Sequence, residues 1–542
     1  MDIKELSETE TKIIDCISKK QNFLLSGGAG SGKTYTLVQL LNYIFKTEEN
    51  PSVACITYTN VAADEIKARS PYSKLKVSTI HDFLWDVIKS YQKNIKEALA
   101  NDVIDLKGEI NKEDIQRFKE IRYREYKKLS EGIISHDEVL KISNYLFKTH
   151  SLISKILSDK FQYIFIDEYQ DTQKSVIEIF LDYFSSNCGN KTVLGFFGDK
   201  VQSIYNTGIG NIDSYVADGK VIEILKQQNY RCCTNVIGLL NNIRKDSIKQ
   251  EATGANKEIS GTIKFIYSNY DNHKLSDIQS ATIFNEWNFT DIKNNKVLCL
   301  THRLVSKEYG FNDIFNLYNE KYGSITTNLL FGDEKDKFIK YLYRIQELID
   351  LYSNKDFNEL IEKTNRKIIK LEDKKKIREC LDNLILIAEK GKIVDLIAYV
   401  DAEKLLVKEE AINTYINENK DFYDKLVELE YSQIENLYNY DLGYSPFSTQ
   451  HGVKGAEYKN VFVLLDNGNW SLYNFTTIFD EYNYKGVNGL PNATQKLFYV
   501  CCSRAIENLV VYFNKPSDDI LSKARLAFGK DNVKEIKPGV LL

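Results

Sequence analysis

The sequence lacks any uninterrupted apolar run of about 18 residues, the length needed to cross a bilayer. Its first residues, MDIKELSETE, are charged and polar, unlike the apolar core of a secretory leader, so a cytoplasmic protein is expected. It also lacks a CxxC pair. The nine cysteines (Cys16, Cys55, Cys188, Cys232, Cys233, Cys299, Cys380, Cys501, Cys502) are scattered or adjacent, which argues for buried reduced thiols over a metal or Fe–S site. Neither sign of charge is in excess: 72 Lys and Arg against 76 Asp and Glu leave a formal charge of −4, so any nucleic-acid contact must come from local basic patches. No repeat of fixed period is present, which argues against a solenoid. What remains is an ordinary globular composition over 542 residues, too long for one core and expected to form about three or four structural units.

Against that background one stretch stands out, Gly27-Gly28-Ala29-Gly30-Ser31-Gly32-Lys33-Thr34, directly after the apolar Phe23-Leu24-Leu25. Apolar strand, glycine turn and helix start make a phosphate-binding loop. The glycines let backbone N–H groups crowd a phosphate, Lys33 reaches the β- and γ-oxygens, and the Thr34 hydroxyl completes a Mg²⁺ shell. A second stretch, FQYIFIDEYQDT (161–172), reads as a strand ending in Asp167-Glu168 at the carboxyl edge of a sheet. Asp167 is suited to hold Mg²⁺ through water, and Glu168 to orient and deprotonate an attacking water. Together the two stretches point to an NTP-hydrolysing site that uses Mg²⁺.

Along the chain, Ser7 and Glu10 form a capping-box pattern opening a helix. Residues 53–60 read as a buried strand and 61–69 as a helix, the start of a parallel α/β sheet. A short strand is expected at 75–77, and another, 191–197, before Gly198-Asp199. From 86 to 132 the pattern turns helical and charged, ending in Arg122-Tyr123-Arg124-Glu125-Tyr126-Lys127-Lys128. Cations interleaved with aromatics suit phosphate contact with base stacking, and equally suit a solvated helix face. KVLCLTHR (296–303) reads as a strand of a second sheet, 326–442 as helical, VFVLL (461–465) as a strand, 493–504 as a helix and 508–513 as a last strand. The block 363–378 carries eight Lys or Arg against Glu372 and Asp373.

The order of motifs resembles the superfamily 1A helicases of the UvrD/Rep/PcrA type along nearly the whole chain. The matching stretches are GGAGSGKT (27–34), ITYTNVAADEIKAR (56–69), VSTIHDF (77–83), FIDEYQDT (165–172), GDKVQSIY (198–205), QNYR (228–231), TQHGVKGAEYKNVFVL (449–464) and FYVCCSRA (498–505). The resemblance implies an α/β fold of two RecA-like subdomains with ATP between them, each with a helical insertion. It also implies ATP-driven movement along single-stranded DNA in the 3′-to-5′ direction. Gln202 resembles the amide that senses the γ-phosphate. Arg231 and Arg504 look like the two arginines that reach it, Glu457 like the ribose-contacting acid and Tyr230 like the aromatic stacked on adenine. Thr57, Tyr58, Thr59, Asn60, Thr79, His81, Tyr205, Thr449 and His451 match the strand-contacting motifs. For His81 and His451 a packed core imidazole is the competing reading.

The chain departs from the family pattern around the base. Glu10 stands where the family has Gln, and a carboxylate can only accept from adenine. Tyr35 stands where an Arg is common, which suggests adenine between Tyr35 and Tyr230. After Tyr205 the family's stacking aromatic and Arg are replaced by Asn206-Thr207-Gly208-Ile209-Gly210. Only about 38 residues follow Arg504, so an appended nuclease domain is not expected. The expected organisation is a first RecA-like subdomain at 1–86 and 133–220 with an insertion at 87–132, and a second at 221–325 and 443–542 with an insertion at 326–442. Both insertions are short, as in compact relatives such as the helicase subunit of the Gabija anti-phage system, which partners an OLD-family nuclease. The expected partners are single-stranded DNA and single/double-strand junctions, with such a nuclease as a protein partner.

Overall fold

The structure is a computed structural model and describes residues 7–101, 103–106, 110–204, 212–270, 275–332, 335–364, 366, 369–466, 472–484 and 486–536. Tyr205 and the segment 206–210 therefore lie outside the described residues. Contacts divide the chain into two compact units, Met1–Ile263 with Ser471–Glu507, and Lys264–Trp470 with Asn508–Leu542.

The first unit is built on six strands: β1 (Phe23–Gly27), β2 (Val53–Thr57), β3 (Leu75–Thr79), β4 (Tyr163–Asp167), β5 (Val193–Gly198) and β6 (Ile222–Lys226). They lie in the order β3-β2-β4-β5-β1-β6, and every neighbouring pair is parallel. β1, β2, β4 and β5 are buried along their whole length, as a parallel sheet covered on both faces requires. Alternate residues serve opposite faces. Leu24, Ile56, Ile164, Ile166 and Phe196 join a core with the helices of 80–88 and 136–149, whereas Phe23, Leu25, Cys55, Phe165 and Phe197 join one with α1 (Glu8–Ser18), α2 (Lys33–Thr47) and α3 (Asn60–Arg69). β6 lies beyond residue 220, where the second subdomain was expected to begin, yet it pairs with β1.

The second sheet comprises β7 (Thr262–Ser268), β8 (Asn295–Cys299), β9 (Phe447–Thr449), β10 (Tyr458–Leu465), β11 (Ala505–Asn514) and β12 (Val533–Glu535), in the order β9-β8-β10-β11-β7-β12. Counted from its own first strand this is 3-2-4-5-1-6, the order of the first sheet. The pairs β7–β12, β8–β9 and β8–β10 are parallel. The fold is thus α/β with one RecA-like topology used twice. Helices from Thr326–Phe331 to Ser432–Asp441 fill the interval between β8 and β9.

Three local expectations differ from what is observed. β8 stops at Cys299, because the Thr301 hydroxyl caps a helix that begins at His302. β11 is not the last strand, since a helix (Asp518–Phe528) returns the chain to place β12 beside β7. Arg122–Tyr123 is a short strand parallel to Ile133–Ile134, not a helix end, and Gly132 at φ +70° ends the single helical turn Leu129–Glu131 that leads into Ile133.

Candidate functional site: the phosphate loop and its surroundings

The loop connects β1 to α2. Gly30 and Gly32 both hold φ +74°, a left-handed conformation natural to glycine, and Gly32 caps α2 without a side chain. The first N–H groups of α2 have no partner within the helix and carry its positive dipole end. Ser31 Oγ is buried without a hydrogen-bond partner. Lys33, 7% exposed, donates from Nζ to the Gly27 carbonyl at 3.0 Å. An orphaned hydroxyl beside a buried cation and helix N–H groups fits a phosphate.

Thr34 opens α2 opposite the end of β4, and its hydroxyl donates to Asp167 Oδ2 at 3.1 Å. Burial and the neighbouring Glu168 raise the Asp167 carboxyl, while Lys33 and Thr34 oppose that shift. A hydroxyl and a carboxylate are the hard oxygen ligands Mg²⁺ prefers. Glu168 itself sits at φ +50°, a strained conformation for a residue with a side chain. Gln170 donates from Nε2 to Glu168 Oε2.

The QNYR stretch packs directly on the loop. A Cβ at Gly30 would lie 2.7 Å from the Arg231 Cβ, and Asn229 Nδ2 donates to the Ala29 carbonyl at 3.0 Å. Arg231 and Arg504 meet at Ser503. Arg231 NH1 donates to its carbonyl at 3.4 Å, and Arg504 NH2 to its hydroxyl at 2.8 Å. Burial, reinforced by the like charge of Arg231, lowers the Arg504 guanidinium to about 10. A bound anion relieves such repulsion. Gln202 Nε2 donates to Asp199 Oδ2 at 2.8 Å at the end of β5.

Around the base, Tyr230 and Tyr35 are half-exposed and flank Gly32, whose Cβ would sit 3.6 Å from the Tyr230 ring and 3.8 Å from the Tyr35 Cβ. Glu10 Oε2 accepts from the Ser7 N–H at 2.8 Å, so its carboxylate caps α1 as the capping-box pattern predicts. Glu457, exposed ahead of β10, belongs to the second unit, as do Thr449 at the end of β9 and His451 after it.

Five of the strand-contacting candidates, Tyr58, Thr59, Asn60, Thr79 and His81, line one cavity of about 720 Å³ in the first unit. Thr57 lies behind it, 2% exposed, with its hydroxyl donated to the Thr59 carbonyl. Thr59 and Thr79 both cap helices. Sequence reasoning missed His136, whose ring lies 4.5 Å from that of His81 and 5.4 Å from that of Tyr123. Tyr123, Arg124 and Tyr126 join the wall with two acids, Asp82 and Glu125. Burial and His136 lower His81 to about 4, leaving it neutral at physiological pH.

A family model described as an AAA domain matches residues 10–208. The chain is 27% identical to the Gabija protein GajB of Bacillus cereus (strain HuB5-5) over 97% of its own length and 98% of that protein. It is 27% identical to the ATP-dependent DNA helicase PcrA of Staphylococcus epidermidis over 45% of this chain and 41% of that protein. The crystal structure of Bacteroides sp Pif1 in complex with ADP-AlF4 overlaps 57% of this chain and 56% of its own at 16% identity, with a TM-score of 0.28. Among the described residues no helix is long and apolar enough to cross a membrane. With eight ordered motifs, a twofold use of one parallel-sheet order and sequence relatives at 27% identity, the chain is similar to the superfamily 1 helicases of the UvrD/Rep/PcrA type.

Proposed function

We propose that this protein is a Mg²⁺-dependent ATPase that moves along single-stranded DNA in the 3′-to-5′ direction. The observation that supports the reading best is the gathering of Lys33, Thr34, Asp167, Glu168, Arg231 and the QNYR stretch around one loop. Lys33 and the loop N–H groups hold the phosphates, and Thr34 and Asp167 hold Mg²⁺, which when bound neutralises phosphate oxygens. Glu168 takes the proton of a water whose oxygen bonds to the γ-phosphorus, and the bond to the β–γ bridging oxygen breaks, releasing ADP. Arg231 and Arg504 offset the charge on the transferred phosphoryl group, and Gln202 reads its presence. Tyr35 and Tyr230 sandwich the base, with Glu10 and Glu457 as polar contacts to the nucleoside. The strand runs over Tyr58, Thr59, Asn60, Thr79 and His81, with Thr57, Tyr205, Thr449 and His451 assigned by resemblance.

The test is ATP hydrolysis with and without single-stranded DNA. Glu168→Gln is expected to lower kcat by about 10²–10⁴-fold while nucleotide still binds; full DNA-stimulated activity in that variant overturns the catalytic assignment. Streptavidin displacement from 3′- or 5′-biotinylated strands reads the polarity: faster release from the 5′ end is expected, and faster release from the 3′ end contradicts the stated direction.

The match along almost the whole of GajB favours a second reading, a DNA-stimulated ATPase subunit regulating a nuclease complex such as one with an OLD-family nuclease. A tailed duplex separates the two: hydrolysis without strand separation, at saturating protein and low salt, selects the regulatory subunit.

A further inference from the structure

Arg244 ends the helix Thr234–Ile243, in a stretch, NNIRKDSIKQ, that carries no motif. Its side chain is fully enclosed. A buried guanidinium must have its charge paired and its five N–H groups satisfied, and here all five are. NH1 and NH2 donate to Asp199 Oδ2 and Oδ1, each at 2.9 Å. Nε and NH2 donate to Asp246 Oδ1 at 2.7 Å and Oδ2 at 2.6 Å. The remaining NH1 hydrogen goes to the Tyr499 hydroxyl at 2.9 Å.

Each partner leads to a group of the ATPase site. The Asp199 carboxylate also accepts from Gln202 Nε2 at 2.8 Å and from the Val201 N–H at 3.1 Å, so its oxygens are fully used and their direction fixed. The Asp199 N–H donates to Gln170 Oε1 at 3.0 Å. That bond decides which end of the Gln170 amide is the donor, and the Nε2 end faces Glu168. Gly198 is needed for this approach, because a Cβ there would lie 2.1 Å from Gln170 Oε1. Tyr499 accepts from the Ala29 N–H at 3.3 Å and donates to Gln250 Oε1 at 3.4 Å, while Gln250 Nε2 donates to the Ala29 carbonyl at 2.9 Å. Burial alone would raise the Asp199 carboxyl, but the Arg244 charge holds it below the usual range, with Lys33 adding to the effect.

We propose that Arg244 is a positioning residue for ATP hydrolysis. One buried cation orients Gln202 and, through the Asp199 backbone and Gln170, the base Glu168, and through Tyr499 it steadies the phosphate loop. The inference rests on the proposed ATPase reading. Lysine cannot replace the guanidinium, since it offers a point charge with three donors and no planar fork.

The experiment compares kcat and KM for ATP, affinity for a fluorescent ADP analogue and melting temperature in Arg244→Lys, Asp246→Asn and Tyr499→Phe, all in the full chain. Arg244→Lys is expected to lose about tenfold to a hundredfold in kcat, with KM changed less than about threefold. Asp246→Asn weakens the same cluster on the edge away from Asp199 and is expected to melt earlier while keeping kcat within about threefold. Tyr499→Phe removes the loop contact, and with it one of the five Arg244 acceptors, while leaving the paired bonds to Asp199 in place, and is expected to weaken ADP-analogue binding more than it lowers kcat. A purely structural ion pair predicts instead that kcat falls in step with melting temperature in Arg244→Lys and Asp246→Asn, and that result overturns the proposal. So does an Arg244→Lys variant with wild-type kcat. Should Arg244→Lys not fold, unchanged analogue affinity in Tyr499→Phe is the overturning result. Wild-type protein without ATPase activity overturns both readings, whereas wild-type hydrolysis with an unaffected Arg244→Lys overturns this one alone.

Discussion

A methyl group at Gly30 would meet the Arg231 Cβ at 2.7 Å and Asn229 Oδ1 at 2.9 Å, on a backbone at φ +74°. Left-handed strain costs roughly 1–2 kcal/mol for an L-residue, and the clash displaces the segment that carries Arg231. Gly30→Ala is therefore expected to lower kcat/KM by more than about tenfold in a protein that still folds. Gly219, at φ +70° with nothing within 4 Å of its Cβ, supplies the control: Gly219→Ala carries the backbone strain without the clash and keeps its activity. Acid sensitivity is a second matter for single residues. His81 and His302 are both lowered to about 4, mainly by burial. Between pH 6.5 and about 4 the unfolded chain binds protons that the folded chain does not, so stability falls as pH falls through that window. The melting temperature is expected to drop from pH 7 to pH 5, and to drop less in His81→Gln. An equal drop in both contradicts the neutral assignment of His81. The loop residues Lys33 and Thr34 were legible because a phosphate cradle is local in sequence. Arg244, Asp246 and Gln250 were not, because their meaning arises from Asp199, Tyr499 and Ala29, which only tertiary packing brings to them.

At the scale of elements, the two basic stretches part company. In 363–378, Lys363 pairs with Glu347 and Glu359, Arg366 with Glu403, and Arg378 with Asp382. Lys363–Glu347 and Arg366–Glu403 tie separate segments of the second unit together, and Lys363–Glu359 and Arg378–Asp382 are one-turn pairs within a helix, all structural uses of charge. Arg124 instead lines the cavity with Tyr58 and His81, beside Tyr126, which is 52% exposed. Arg124→Ala is expected to reduce the salt slope of single-strand binding by about one, while Lys374→Glu with Lys375→Glu leaves the slope unchanged. Titrating affinity against salt decides it, and the reverse pattern returns 122–128 to a solvated surface. Buried strands were legible by their apolar density, as with Phe23–Gly27 and Tyr163–Asp167. The charged 122–128 stretch was not, because its strand depends on pairing with Ile133–Ile134 and on the Gly132 turn, neither of which periodicity reveals.

Across the whole molecule, both sheets use the order 3-2-4-5-1-6, yet their first strands lead to different chemistry. β1 runs into GGAGSGKT, whereas β7 ends at Ser268 and continues as Asn269-Tyr270-Asp271-Asn272-His273-Lys274, with no glycine to bring backbone N–H groups around a phosphate. The strand corresponding to β4 is β10, and it ends in Leu464-Leu465-Asp466, without the adjacent acid that Glu168 supplies after Asp167. Of the two sheets, the glycine-rich cradle sequence and the paired acids follow strands of the first alone, so one nucleotide site per chain is the expectation. Calorimetric titration with ADP and Mg²⁺ is expected to give one nucleotide per chain, and Lys33→Ala to weaken that single event without exposing another. A stoichiometry of two, or a residual tight site in Lys33→Ala, contradicts this division between the two sheets.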